Sequence, residues 1–213
     1  MICGVDEAGK GAVLGPLVVA AVACGSDGDA AAVGARDSKT LSPGRREEIY
    51  AGIIARFQVA TRVMPPGEID ARPGHTLNLC IARAHAAVVS DLGPDLAILD
   101  ACDVDAGRYG RTVAGYLTRR CRILSVHGAD RIHPVVGAAS IVAKVLRDRA
   151  ISDLAREHGE IGSGYPADPV TIAFLKEYIL RERVPPPFAR KSWATTRALV
   201  DELHQTRMTD FPG

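Results

Sequence analysis

Two apolar runs near the start, joined by a glycine-rich turn, constrain the fold more than any other feature. Residues 2–5 form a short apolar stretch that ends on Asp6 and Glu7. Residues 13–24 form a longer one rich in Val and Ala. Short apolar runs bounded by Gly read as buried strands, and the glycine-rich link reads as a hairpin connection. The longer run reads as a buried strand, in a sheet flanked by helices.

The rest of the chain supplies them. Ser42-Pro43 opens a helix, with Ser at the cap and Pro at the first turn, and Ile49, Ile53, Ile54 and Phe57 follow at helical spacing. Residues 58–64 alternate as a strand and stop at Pro65-Pro66-Gly67. Residues 76–89 carry Leu77, Cys80, Ile81, Ala84 and Val88 on one helical face, closed by Gly93-Pro94. Residues 96–99 and 122–126 read as further strands. Residues 138–158, the stretch from Asp168-Pro169 to about Arg183, and 192–204 read as helices. The expectation is an α/β fold in which a mixed sheet is flanked by helices and followed by a C-terminal helical extension. Its parts are a domain over 1–160, an extension over 161–204 packed on it, and a flexible tail over 205–213.

Composition excludes several classes. The chain has 213 residues, 47% hydrophobic and 24% charged, which suits one globular domain with a small appendage. A net charge of +1 does not by itself argue for nucleic acid. The basic residues cluster, however, at Arg45-Arg46, at 119–122 and at 181–191. The five cysteines are odd in number and include no CxxC pair, which argues against a disulfide framework or zinc site and for a reducing, cytoplasmic compartment. No signal peptide is visible, and the apolar segment 12–24 is too short to span a bilayer.

The acids carry the chemistry. Asp6 and Glu7 are adjacent at the end of one apolar strand. Adjacent side chains on a strand point to opposite faces, so for both to serve one site the strand must end or bend there. Asp100 ends a second strand, and Asp130 follows a third. Any one of them alone reads as a cap or a solvated charge. Together, converging strand-end carboxylates repel one another and need cations. Oxygen-only ligands favour Mg²⁺ or Mn²⁺. Two such ions roughly 3.5–4 Å apart can activate water and stabilise a leaving oxygen in phosphodiester hydrolysis. Gly4 to Gly11 also reads as G-x-x-x-x-G-K-G, one residue from a phosphate-binding P-loop. There Gly11 replaces the Mg²⁺-binding hydroxyl, and Asp6 and Glu7 would face the polyphosphate with the wrong charge.

At these residues the chain resembles ribonuclease HII, particularly its archaeal members, over nearly its whole length. The motifs, in order, are "GVDEAGKG" with "VLGPLVVAAV", "DSKTLSPGRREE", "ILDACDV", "HGADRIHPVVGAASIVAKVLRDR", "GSGYPADPVT" and "RKSW". The resemblance implies an RNase H-like fold and four catalytic, metal-binding acids: Asp6, Glu7, Asp100 and Asp130. It implies an endoribonuclease that hydrolyses the RNA strand of RNA–DNA hybrids and incises 5′ to ribonucleotides embedded in duplex DNA, with a place in DNA replication and repair. The expected chemistry uses two divalent ions and leaves a 5′-phosphate and a 3′-hydroxyl. Asp103, Asp105 and the histidines nearby match no catalytic position. The rival reading is a non-catalytic nucleic-acid binding module on the same fold, which would have no reason to gather acids against phosphates.

By resemblance, Gly9, Lys10 and Gly11 contact the ribonucleotide, whose 2′-hydroxyl distinguishes RNA from DNA, and Tyr165 stacks on the adjoining deoxyribose. Lys10 stands where the family usually has Arg, and Ala194 where it often has a phosphate-contacting Lys. Lys39, Arg46 and Lys144 are candidate phosphate contacts, and Arg147 lies three residues beyond Lys144 on an adjacent part of the same helix face. In the tail, Gln205, Met208 and Phe211 fit Q-x-x-M-x-x-F, similar to peptides that dock into sliding clamps, with Pro212 in place of the second aromatic. A clamp is thus a candidate partner. No membrane is expected, and nothing demands more than a monomer.

Overall fold

The computed structural model describes residues 1–35, 41–72 and 74–209, with side chains through residue 202. Its elements run β1 (Ile2–Ala8), β2 (Leu17–Cys24), α1 (Asp27–Ala32), α2 (Pro43–Arg56), β3 (Gln58–Met64), α3 (Pro66–Asp70), α4 (Leu77–Leu92), β4 (Leu96–Asp100), α5 (Ala106–Tyr116), β5 (Arg122–Val126), α6 (Ala129–Ile132), α7 (Pro134–His158), α8 (Pro169–Glu182) and α9 (Ala194–Thr209). The sheet order is β3-β2-β1-β4-β5. β1 pairs antiparallel with β2 and parallel with β4, and β4 pairs parallel with β5. This is the expected mixed sheet with helices. No helix among the described residues is long and apolar enough to cross a membrane.

The chain divides into two compact units. The first comprises Met1–Ala8, Val18–Val63 and Arg72–Leu146. Every residue of β2 is buried, as its unbroken apolar pattern requires. Val18, Ala20 and Val22 lie in one core with Ile49 and Ile53 of α2 and Ile141, Val142 and Val145 of α7. Those β2 residues share one side of the sheet, so α2 and α7 cover that side. Ser42 caps α2 by accepting from Arg45 N–H and Gly93 closes α4 in the left-handed conformation, both as expected, while Thr76, read as the first helical residue, is the cap of α4 and accepts from Leu79 N–H.

The second unit comprises Gly9–Leu17, Met64–Ala71 and Arg147–Gly213. Its core joins Val13 and Leu14 to Ile151, Ile161, Leu175, Ile179 and Phe188. β2 therefore begins at Leu17, later than the apolar run at residue 13 suggests. Pro16 has no N–H for a ladder, and the Val13 and Leu14 amides donate instead to Gly164 O at 2.8 and 3.1 Å. α9 continues to Thr209, past the expected helix end at His204 and into the segment read as a tail.

Candidate active site

β1 stays extended through Ala8, so Asp6 and Glu7 sit within the strand rather than at its end. The neighbours obey the alternation of a strand. Asp6 pairs in register with Ala20, placing it on the α7 side, where the Ser140 hydroxyl hydrogen-bonds it. Glu7 points the other way, and its Oε2 lies 3.2 Å from His85 Nε2 on α4. The bend expected to bring both acids to one point does not occur. α4 and α7 consequently cover opposite faces of the sheet.

The Asp6 side is where the distant acids meet. β4 lies parallel to β1 and ends on Asp100. Asp100 Oδ1 accepts from Gly128 N–H at 2.9 Å, tying the end of β4 to the start of α6. Gly128 holds φ 64 there, a conformation that favours glycine. Asp130 follows in the first turn of α6 and is buried. One carboxylate oxygen from each of Asp6, Asp100 and Asp130 lies within 4.8 Å of the other two. Glu7 is outside that group of three, although its charge reaches both Asp6 and Asp100.

The electrostatics are unfavourable for bare anions. Burial pushes the Asp6 carboxyl well above the usual carboxylate range, and the charges of Glu7 and Asp100 add to the effect. Burial also pushes Asp100 up, with Asp130 next in importance. Ser140 and the backbone amide of Glu7, 2.7 Å from Asp6 Oδ1, oppose this only in part. An all-oxygen, anionic, mostly buried cluster is the donor set that hard divalent cations take. The residues present therefore fit Mg²⁺ or Mn²⁺, and a cation there would remove the repulsion that shifts the acids.

The other sequence candidates fall as follows. Gly9, Lys10 and Gly11 form a turn in the second unit. Gly9 has φ 87, and a Cβ on it would lie 2.7 Å from Pro16 O, so the turn admits only glycine there. The buried Arg190 guanidinium donates to Gly9 O at 2.6 Å, Lys10 O at 2.9 Å and Gly15 O at 3.3 Å. This explains the arginine of the "RKSW" stretch as the clamp of the glycine turn, a role sequence reasoning missed. Tyr165 is half-buried with Arg147 stacked over its ring at 4.5 Å. Arg147 is itself buried and donates to Ser163 O at 2.6 Å, so it does not continue a solvated basic face with Lys144. Lys144 is half-buried on α7. Arg46 is also buried, and one of its nitrogens donates to Leu41 O at 3.3 Å. Asp103 pairs with Arg108 at 2.6 Å and Asp105 caps α5, local roles that account for both acids. Lys39 and Phe211 lie outside the described residues, as do the side chains of Gln205 and Met208, whose backbone is helical.

Sequence reasoning also missed His85. It sits fully buried beside Ala84 on the apolar face of α4, and a lone imidazole in such a face was the available signal.

The comparisons with known proteins agree with this geometry. The family model described as Ribonuclease HII matches residues 3–196. The ribonuclease HII of Methanoregula boonei is 55% identical over 212 residues, covering 99% of this chain and all of the relative. The ribonuclease H2 structure from Pyrococcus horikoshii superposes with a TM-score of 0.90 at 34% identity, covering 96% of this chain and 99% of that one. A structure of a PCNA:RNase HII complex from Archaeoglobus fulgidus gives 0.85 at 40% identity, covering 91% and 95%. With the family model spanning the acids and the sheet that carries them, the chain belongs to the ribonuclease HII family, whose members are metal-dependent endoribonucleases.

Proposed function

We propose that this protein hydrolyses the RNA strand of RNA–DNA hybrids and cuts 5′ to single ribonucleotides embedded in duplex DNA, leaving a 5′-phosphate and a 3′-hydroxyl. The observation that supports this reading best is the meeting of Asp6, Asp100 and Asp130, drawn from three distant stretches of chain. Asp6, Asp100 and Asp130, with Glu7 reaching in from the other face of β1, would hold two divalent ions. Bound there, the ions supply a lowered water pKa and a positive field at the leaving oxygen. The protein's part is to fix these carboxylates in place. Asp6 is held by Ser140 and by the Glu7 amide, Asp100 by Gly128, and Glu7 by His85.

Recognition is assigned to the second unit. The backbone of Gly9, Lys10 and Gly11 would read the 2′-hydroxyl, and Tyr165 would present its ring to the adjoining sugar. Arg190 supports this assignment, because it fixes the turn from its carbonyl side. Lys39, Arg46 and Lys144 would contribute to phosphate binding, with Arg46 acting from a buried position. The stretch 161–204 would serve as the extension that carries Tyr165.

The direct test is a duplex carrying one ribonucleotide, incubated with Mg²⁺ or Mn²⁺. The expected product is a single incision 5′ to that residue, with near-total loss on Asp6→Asn or Asp100→Asn. Full activity in either variant would overturn the assignment. Tight hybrid binding without any cutting would favour the non-catalytic module.

A sliding clamp is the proposed partner of the C-terminus, through Gln205, Met208 and Phe211. The Archaeoglobus fulgidus relative, seen in complex with PCNA, supports this reading.

A further inference from the structure

Glu7 is held from behind by a buried polar chain. His85 is fully buried, and Tyr109 nearly so at 2% exposure. His85 Nε2 lies 3.2 Å from Glu7 Oε2, and His85 Nδ1 lies 3.1 Å from the Tyr109 hydroxyl. The two rings meet edge to face with centroids 5.6 Å apart. The Tyr109 hydroxyl also shares a hydrogen bond with Cys102, two residues beyond Asp100.

With a neutral imidazole the donors and acceptors fit in one order. A carboxylate accepts, so His85 Nε2 must donate to Glu7. In a neutral imidazole Nδ1 then accepts, and the Tyr109 O–H donates to it. Burial pushes the Tyr109 phenol far above its usual range, so it keeps the proton it donates.

A fully buried imidazole bonded at both nitrogens has one ring orientation and one tautomer. We infer that His85 is a positioning residue: set by Tyr109, it holds Glu7 Oε2 through Nε2–H and so fixes which way the Glu7 carboxylate faces. This rests on the reading of Glu7 as a metal-binding, catalytic acid. Glu7 is the acid that needs such a brace, because it lies outside the tight group formed by Asp6, Asp100 and Asp130. Partners that orient a ligating carboxylate typically change metal affinity or activity by about 10–100-fold when removed.

The test uses the full chain with His85→Phe, which keeps an aromatic ring but removes the donor, His85→Gln, which restores an N–H toward Glu7, and Tyr109→Phe, which removes only the hydroxyl. Mn²⁺ binding is measured by titration calorimetry, and cleavage of an RNA–DNA hybrid is followed as kcat and KM. His85→Phe should weaken Mn²⁺ binding and lower kcat by about 10–100-fold while KM for the hybrid stays within about twofold. His85→Gln should recover most of the loss, and Tyr109→Phe should fall between. The imidazole ¹⁵N shifts of the metal-free protein should report the Nε2–H tautomer for His85, relaxed in Tyr109→Phe.

Two controls separate the levels of the argument. Glu7→Gln should abolish cleavage, and adding His85→Phe to it should cost nothing more in Mn²⁺ affinity. If Glu7→Gln is inactive but His85→Phe and Tyr109→Phe bind Mn²⁺ and turn over normally, losing only thermal stability, the positioning role is wrong and Glu7's role stands. If Glu7→Gln cuts normally, the reading of Glu7 fails and the inference with it.

Discussion

Gly4 of β1 runs against the backbone of Val135 so closely that a Cβ on Gly4 would sit 2.3 Å from the Val135 carbonyl carbon and oxygen. This approach lays the first turns of α7 on the strand that carries Asp6. Both contacting groups are backbone, and no side chain can swing aside. Gly4→Ala should therefore force β1 and α7 apart. The expected cost is about 1–3 kcal/mol or more, read as a lower midpoint in urea, together with a large loss of cleavage. An unchanged midpoint would show that the strand and helix can separate freely.

Removing one charge from the acid cluster should stabilise the metal-free protein. Asp6 and Asp100 are held above their ordinary range by burial and by each other's neighbours, so their ionised forms oppose folding at neutral pH. Asp100→Asn keeps the oxygen that accepts from Gly128. In EDTA its Tm should rise by a few degrees while cleavage is lost. Wild type should gain Tm on adding Mg²⁺ or Mn²⁺, and Asp100→Asn should gain much less. A lower Tm for Asp100→Asn in EDTA would mean the acids are not under repulsion.

Arg190 should tolerate no substitute. It donates to Gly9 O, Lys10 O and Gly15 O from a fully buried position. Lys offers a point charge without the planar fork that reaches several carbonyls. Arg190→Lys should lose about 2–4 kcal/mol, because each abandoned buried acceptor costs about 1–3 kcal/mol. It should also raise KM for hybrid more than it lowers kcat. A stable variant with normal KM would dissociate this clamp from substrate reading.

Acid should loosen the start of α8 through Asp168. This carboxylate accepts from Ser163 N–H at 2.6 Å and Val170 N–H at 3.0 Å, which lowers its pKa to about 2. A depressed folded value stabilises the fold above the unfolded value of about 3.9. That contribution falls away as pH drops from about 4 through 2. Asp168→Asn should lower Tm at pH 7 and make the decline of Tm over that acid window shallower than in wild type. Parallel Tm–pH curves would count against the cap.

Truncation after Leu203 should leave hybrid cleavage intact while abolishing capture by the sliding clamp. Equal capture of both forms would reject the tail as the docking element.

Much of this was legible in the residues because the signals were local. The Val-rich run, the Ser42-Pro43 cap, the Gly93 stop and the acid ending 96–100 each fix an element by its own chemistry. Other features depended on distant partners. α5 holds Gly107, Gly110 and Gly115, poor helix formers. Gly110 belongs there because a Cβ on it would crowd Ser125 of β5 at 3.0 Å. Asp130 does follow a strand, but the short helix that holds it, anchored by Gly128 and Asp100, leaves no sign in the sequence. Arg46 reads as a phosphate contact and Arg147 as a neighbour of Lys144 on one helix face, yet each is buried with its guanidinium against a backbone carbonyl. His85 shows locally only as a lone imidazole on an apolar helix face, and the register of β1 against β2 is what shows that Glu7 turns toward it.

The meeting of Asp6, Asp100 and Asp130 around divalent ions is tested by anomalous diffraction at the manganese edge from crystals soaked in Mn²⁺. Density between these three carboxylates, abolished in Asp100→Asn, is the expected result. Manganese bound elsewhere, or undiminished in the variant, would contradict it.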